Sequence, residues 1–391
     1  MSVLAVWCAR NRVRAFAVVL VVALVATWTQ GAALAAVTWT VQATPLPSGQ
    51  TTGQLESVSC STNNSCMAVG FSGPGSSSQL AEMWNGTTWT VQVPPDPPGG
   101  TGATLSAVSC VEPTRCEAVG GAGTSPYAVG WDGTHWTLQP ASLPSGEPYA
   151  YLSDVSCVAA NACTAVGLST DGTSVHPMAQ RWNGATWQQQ SLPDVAGANY
   201  DALYGVSCVS KSWCVAVGEY RVAPDSSTPD TPYATFWNGT TWSTISTLPQ
   251  PANFGNSGLA QSVSCIAAYA CTAVGNWYDT AAVAHPLVER WNGWSWKLQS
   301  AVDVGGPNPA LSDVACASAT TCMALGPQGA QRWANDKWSS KPAPATPPTA
   351  TRFALVSVSC SLPGLCSGVG TWTATDGHAL VPLAERFAGS S

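Results

Sequence analysis

The apolar and polar positions of this chain follow one grammar, repeated along its length. In the clearest copy, Leu55-Glu56-Ser57-Val58-Ser59-Cys60 alternates and carries β-branched residues, the pattern of a strand with one buried face. Cys66-Met67-Ala68-Val69-Gly70 reads as its hairpin partner, a third strand runs into Trp84, and Thr88-Trp89-Thr90 starts a fourth. Between the last two, Asn85-Gly86 predicts a two-residue primed turn, in which φ must be positive. Such a turn sets Glu82 opposite Trp89 and Trp84 opposite Thr87, with both indoles on one face as diagonal neighbours. The Trp pair recurs as Trp131/Trp136, Trp182/Trp187, Trp237/Trp242, Trp291/Trp296 and Trp333/Trp338, and the last of these has Ala334-Asn335 in place of Asn-Gly.

Seven copies follow one another, their first cysteines 44 to 57 residues apart, with variable, Pro-rich connections between them. A four-stranded unit of about this size cannot bury both faces alone, so the repeat predicts an all-β fold, a seven-bladed β-propeller. The expected blades cover approximately 54–92, 104–139, 151–190, 202–245, 258–299, 310–339 and 354–388. The seventh copy reaches Glu385-Arg386-Phe387 with no Thr-x-Trp strand after it, while Val37-Thr38-Trp39-Thr40-Val41-Gln42 matches the fourth strand Trp89-Thr90-Val91-Gln92. The early segment is therefore expected to complete the last blade beside Phe387, closing a ring that leaves no open sheet edge.

The pattern Leu-x-x-Val, Ala-Val-Gly, Asn-Gly-Thr-x-Trp resembles the Asp-box (BNR) propeller repeats of sialidases and of photosystem II assembly factors, and it covers nearly all of the chain after residue 36. The resemblance implies the blade and no particular activity. The Asp of the Asp-box is mostly Asn here, with Asp132 the exception, and the arginine triad and acid/base set of a sialidase have no matching positions.

Composition bears on compartment and partners. With 14 basic against 21 acidic side chains and no basic cluster, the chain lacks the footprint of a nucleic-acid binder. Residues 1–35 read as a secretory leader: Arg10, Arg12 and Arg14, an apolar run from Ala15 to Trp28 short of a bilayer span, then Ala33-Leu34-Ala35 before the expected cleavage, with retention as an uncleaved anchor the alternative. Its removal takes the formal net charge from −7 to −10, and no later segment is long and apolar enough for a span. Cys8 falls in the leader, and the other fourteen cysteines form Cys60/Cys66, Cys110/Cys116, Cys157/Cys163, Cys208/Cys214, Cys265/Cys271, Cys316/Cys322 and Cys360/Cys366. In an oxidising compartment these predict one disulfide per blade across the first hairpin, with pairing between blades as the alternative, whereas zinc sites use shorter spacings. The expectation is a secreted bacterial protein, monomeric, without metal or cofactor.

Candidate chemistry lies on one face. The Cys-x5-Cys and Trp-x4-Trp spacings are constant, so length variation is confined to the connections from strand 2 to 3 and from strand 4 to the next blade, and recognition tends to evolve on such loops. Tyr220, Trp277 and Trp372 follow the Ala-Val-Gly strand or its variant and are expected at the inner rim of that face, beside Tyr278, Glu219 and Asp279. They are the candidate ligand-binding residues, for a cell-wall glycan or an extracellular protein. Tyr127, Tyr149, Tyr151, Tyr200 and Tyr233 are further aromatics of the same loops, and Asp225, Asp230 and Asp376 further acids. Arg181, Arg290, Arg332 and Arg386 share one repeat position and read as packing on aromatics and bonding a neighbouring blade. His135, His176, His285 and His378 show no metal-ligand spacing. No nucleophile elbow or phosphate loop appears, so binding is favoured over catalysis; a propeller glycosidase or lyase using the loop carboxylates is one alternative, a structural surface protein another.

Overall fold

The computed structural model describes residues 38–389, apart from 76–77, 100–101, 223–228, 244–245, 303–308, 328, 343, 348 and 375–379. The leader and its cleavage site, Asp225, Asp376 and His378 lie outside the described residues. Among those described there is no helix; every element is a strand.

The strands form four-stranded antiparallel groups, a propeller-like arrangement. The first repeat contributes Gly53–Thr62, Ser65–Ser72, Ser78–Trp84 and Trp89–Gln92, in that spatial order. Later repeats do the same, and those of the third and fourth are joined into one larger sheet by a single parallel contact between Val175 and Tyr200. The group Ala350–Leu362, Leu365–Ala374 and Leu380–Ala388 takes its fourth strand from the other end of the chain: Thr38–Gln42 pairs antiparallel with Leu380–Ala388, Trp39 facing Phe387. Their rings lie 5.2 Å apart.

Each disulfide lies within one repeat, across the first hairpin, and none joins two repeats. The bonds are Cys60–Cys66, Cys110–Cys116, Cys157–Cys163, Cys208–Cys214, Cys265–Cys271, Cys316–Cys322 and Cys360–Cys366, with Cα atoms 3.9 to 4.0 Å apart. The two halves of each bond differ in a way that equal spacing does not reveal. The first cysteine is half-buried, whereas Cys66, Cys116, Cys163, Cys214, Cys271, Cys322 and Cys366 are each 0 to 3% exposed. Every one of these second cysteines belongs to an apolar cluster, Cys116 beside Trp131 and Trp136, Cys163 beside Trp182 and Trp187, and Cys366 beside Trp39 and Phe387. Cys214, Cys271 and Cys322 pack likewise against Trp237, Trp296 and Trp333. They are core residues and not accessible site residues, because they sit on second strands. Those strands, such as Ser65–Ser72, are buried on both faces, which is also why Ala-Val-Gly reads as a small-residue run instead of an alternation.

The primed turn is not what forms between the Trp pair. Trp84 faces Trp89 and Glu82 faces Val91, so the indoles are direct partners, with ring centroids 5.7 Å apart. Gly86 alone has positive φ, at 99°, and Asn85 Oδ1 accepts hydrogen bonds from the Thr87 and Thr88 amides, both at 2.9 Å. An Asn side chain that caps the two following amides holds a wider, four-residue loop closed, which removes the need for a second positive φ. Asp132, Asn183, Asn238 and Asn292 cap their loops in the same way. Where Asn-Gly is missing, the two-residue turn does appear: Asn335 and Asp336 both have positive φ and Ala334 faces Lys337.

Neighbouring sheets are joined in three ways. Apolar clusters bridge them: Met67, Val69 and Ala81 of the first repeat pack with Leu105, Val108 and Trp131 of the second. Leu55, Val58 and Trp84 pack with Val369 and Ala384 of the last. The serine of Val-Ser-Cys accepts a hydrogen bond from the equivalent Cys amide of the next repeat, Ser59 from Cys110 at 2.9 Å and Ser207 from Cys265 at 2.9 Å, through to Ser359 from Cys60 at 2.9 Å. Arg181 and Arg290 pack as the sequence suggests, their guanidiniums 4.7 and 4.4 Å over Trp237 and Trp333 of the following repeats, and Arg386 lies 5.5 Å over Trp84.

Candidate functional site

The first strand of each repeat does not run evenly. Between Leu55 and Val58 its register with the second strand slips by one residue, and the same bulge lies after Leu105, Leu152, Leu203, Ala260 and Leu355. A bulge sets two residues against one on the partner strand and re-aims their side chains. It also draws the backbones together: a Cβ on Gly70, the partner of Leu55, would sit 2.0 Å from the Gln54 carbonyl oxygen, and Gly120, Gly167, Gly218 and Gly275 meet equivalent oxygens at 1.9 to 2.0 Å. The glycine of Ala-Val-Gly is thus dictated by the bulge facing it.

The two positions between Leu and Val therefore project inward, and in every repeat at least one of them lines a single cavity of about 500 Å³. The first of the two supplies Glu56, Ser106, Ser153, Tyr204, Gln261, Ser312 and Val356; the second adds Ser57, Asp154, Ser262, Asp313 and Ser357 among others. Tyr151 and Asn276 complete the polar wall, and no Lys, Arg or His occurs among the described residues of the lining.

Two of its carboxyls are bound into the scaffold. Asp154 accepts from the Val155 amide and, across the junction, from the Val206 amide, each at 2.8 Å. Asp313 accepts from the Val314 and Val358 amides at 2.8 Å, and from the Ser262 and Ser357 hydroxyls. Burial pushes Asp154 up to about 7, the charge of Asp313 adding to the rise while the two amides oppose it. Burial likewise raises Asp313 against the pull of its donors, and Glu56 against that of Gln54. Tyr204 donates to Glu219 Oε1 at 3.0 Å and stands 2.8 Å from the Tyr200 hydroxyl, which holds its ring in the wall. Burial raises Glu219 to about 7, with Asp230 contributing.

Of the candidate ligand-binding residues selected from the sequence, none is in the described lining of this cavity, and Trp277 lines a second pocket. Glu219 is buried and reaches the cavity only through Tyr204. Tyr220 packs on Tyr233, 5.9 Å between centroids, and Trp372 faces Phe353 and Val381 within the last sheet. Trp277 lines a lateral pocket of about 320 Å³ with His285, whose ring stacks on it at 4.4 Å. Asp279 Oδ2 lies 3.1 Å from His285 Nε2, and Tyr278 is half-buried opposite Ser257 and Ala284.

Tyr220, Trp277, Tyr278 and Trp372 are strand residues and not inner-rim loop residues, because the second strands that carry them continue three or four residues past the glycine. Tyr127, Tyr149, Tyr151, Tyr200 and Tyr233 are likewise strand residues, on first and third strands, and of these Tyr151 lines the cavity. The shared cavity is lined mainly by first strands, and its lining residues Tyr204, Asp154, Asp313, Glu56 and Gln261 are not among the sequence candidates. Their signal is positional: they occupy the variable pair between Leu and Val, or between Ala260 and Val263 in the fifth repeat.

No protein-family model matches the chain, and no curated protein matches it in sequence. In structure it is similar to a protein of unknown function from Dyadobacter fermentans, with a TM-score of 0.50 at 10% identity over 90% of this chain and 98% of that one. A mutant of the Aleuria aurantia lectin in complex with α-methyl-L-fucoside gives a TM-score of 0.46 at 10% identity, over 76% of this chain and 97% of the lectin. The fucose-specific lectin from Aleuria aurantia gives 0.44 at 11% identity, over 76% and 97%. The first likeness is one of fold alone, and the scores of the lectins carry nothing toward a ligand.

Proposed function

We propose that the chain is an exported, noncatalytic binding protein built as a closed seven-bladed propeller of Asp-box-like repeats, and that it takes a hydroxyl-rich saccharide in the cavity lined by the first strands. Closure is supported by the pairing of Thr38–Gln42 with Leu380–Ala388 and by the Cys60 amide bonded to Ser359. Export is supported by the leader sequence and by seven disulfides, which persist in oxidising compartments.

One observation carries the ligand class. The two variable positions of the repeat converge on one cavity whose described wall offers hydroxyls, carboxamides, carboxyls and two phenol rings and no cation, which suits a neutral ligand that both donates and accepts. The mature protein, screened on a glycan array and by calorimetry, is expected to bind a neutral oligosaccharide, and Gln261→Ala and Tyr151→Phe each to weaken that binding about tenfold. Unchanged affinity in both variants, or an empty array, sinks the reading and leaves an extracellular protein as the partner.

The rise of Asp154 to about 7 beside Asp313 is what a glycosidase general acid needs. Against that reading, every oxygen of the two carboxyls already accepts a hydrogen bond from the scaffold. Turnover of a polysaccharide panel that disappears in Asp154→Asn would favour the enzyme.

A further inference from the structure

The arginine frame that joins neighbouring sheets has an internal control. At the junction of the fifth and sixth repeats, Arg290 lies over Trp333, donates to Thr272 Oγ1 at 3.1 Å and to the Ala319 carbonyl at 2.8 Å, and has the charge of Asp336 nearby. At the junction of the third and fourth, Arg181 lies over Trp237 and donates to Thr164 Oγ1 at 2.9 Å and to the Lys211 carbonyl at 2.8 Å. The frame is the same, but the turn residue is now Lys instead of Ala. No ion pair of Arg181 or Lys211 occurs among the described residues.

This doubled positive charge borders a cavity of about 350 Å³ with no carboxylate among the described residues of its lining. Lys211 Nζ donates to Asn161 Oδ1 at 3.1 Å, which leaves its other protons for a ligand. Arg181 is half-buried, and burial lowers its pKa, so its charge is held where a counter-ion is worth more than in open water. Around the cations stand the carboxamides of Asn161, Asn183, Gln188 and Gln190, and Trp182 and Trp237 supply an apolar floor. Cations for a carboxylate, amides for hydroxyls and indole for C–H faces together describe an acidic sugar.

The geometry points to a second binding site, at the junction of the third and fourth repeats, for a carboxylate-bearing saccharide whose acid group is held by Lys211 and Arg181. The site is separate from the central cavity and stands whether or not that cavity binds a neutral sugar. It also gives a protein of net negative charge one place to hold an acidic polymer.

The probe is a galacturonate oligomer, with the methyl-esterified oligomer as its uncharged counterpart, titrated calorimetrically into the mature protein at low salt. The free acid is expected to bind and the ester to bind about tenfold more weakly or not at all, with affinity for the acid falling as salt rises. Lys211→Ala is expected to cost about tenfold and Lys211→Arg to restore most of it. Because the Lys211 carbonyl, not its side chain, holds Arg181, both variants keep the arginine frame, which an unchanged thermal midpoint verifies. Gln188→Ala, on the exposed outer strand, provides an independent loss of affinity. Equal binding of acid and ester, no saturable binding of the acid, or undiminished affinity in Lys211→Ala together with Gln188→Ala overturns the proposal.

Discussion

Glutamate at one repeat position shows how a single side chain couples this fold to pH. Two residues before the Trp or Phe of the third strand, Gln180 donates to the Ser142 carbonyl at 2.7 Å, Gln331 exchanges hydrogen bonds with the Val302 backbone, and Glu385 accepts from the Ala345 amide at 2.8 Å. Each ties down the connection that precedes its own sheet. Glu82 and Glu289 occupy the same position fully buried, their carboxyl oxygens without hydrogen-bond partners among the described residues, and burial pushes both up to about 8. A carboxyl with its folded pKa above the unfolded value stabilises the fold fully below about 4.5, and that stability is lost as pH rises toward 8, because only the unfolded chain ionises in between. Urea midpoints are expected to fall across this window. Glu82→Gln, the residue the repeat itself uses elsewhere, is expected to flatten the slope by up to about 1.4 kcal/mol per pH unit. A slope unchanged in Glu82→Gln would show that Glu82 is solvated.

At the scale of the strand, the bulge and the glycine facing it form one device. The bulge presents two successive side chains to the cavity, and the close approach it causes excludes a Cβ from the partner position. Gly167→Ala is expected to cost several kcal/mol, since its Cβ would lie 1.9 Å from the Tyr151 carbonyl oxygen. Gly146→Ala is the comparison. It has φ of +87° with nothing within 4 Å, so it costs only the strain of the left-handed backbone, about 1 kcal/mol. Chemical denaturation of the two variants measures the difference, and equal losses would mean that the bulge relaxes. The capped Asn-Gly loop is a second device of this scale. It aligns the Trp pair directly, so both indoles, such as Trp84 and Trp89, are buried together.

At the scale of the molecule, the strand Thr38–Gln42 matters more than its five residues suggest. Trp39 is 5% exposed against Phe387, and Gln42 accepts from Trp89 Nε1 at 2.9 Å, so this strand ties the last sheet to the first repeat. Removing residues 37–42 uncovers the edge of Leu380–Ala388 and a Trp-sized gap. Light scattering is expected to show association that grows with concentration, alongside a lower thermal midpoint, because an open edge pairs with other chains. A truncated protein that stays monomeric with an unchanged midpoint would remove the strand from any role in closure.

The period, the four-strand unit, the cysteine pairs and the partnership of the early strand with Phe387 were all legible in the chain, because each depends on local alternation or on matching one repeat with another. The Arg–aromatic contacts were legible for the same reason. The cavity wall was not. Which strand of a repeat lines the shared cavity, and that a one-residue bulge turns Glu56 and Ser57 or Ser153 and Asp154 toward it, depend on how the copies pack, and no single copy encodes that. Equal spacing likewise could not tell Cys110, half-buried, from Cys116, which lies in the core between two sheets. Nor did spacing show that second strands outrun their motif and carry Trp277 and Trp372 into the sheets, or that Lys211 meets Arg181 across a junction 30 residues away. Local pattern decides what each strand buries; only the packing of one repeat against the next decides which polar residues share a space.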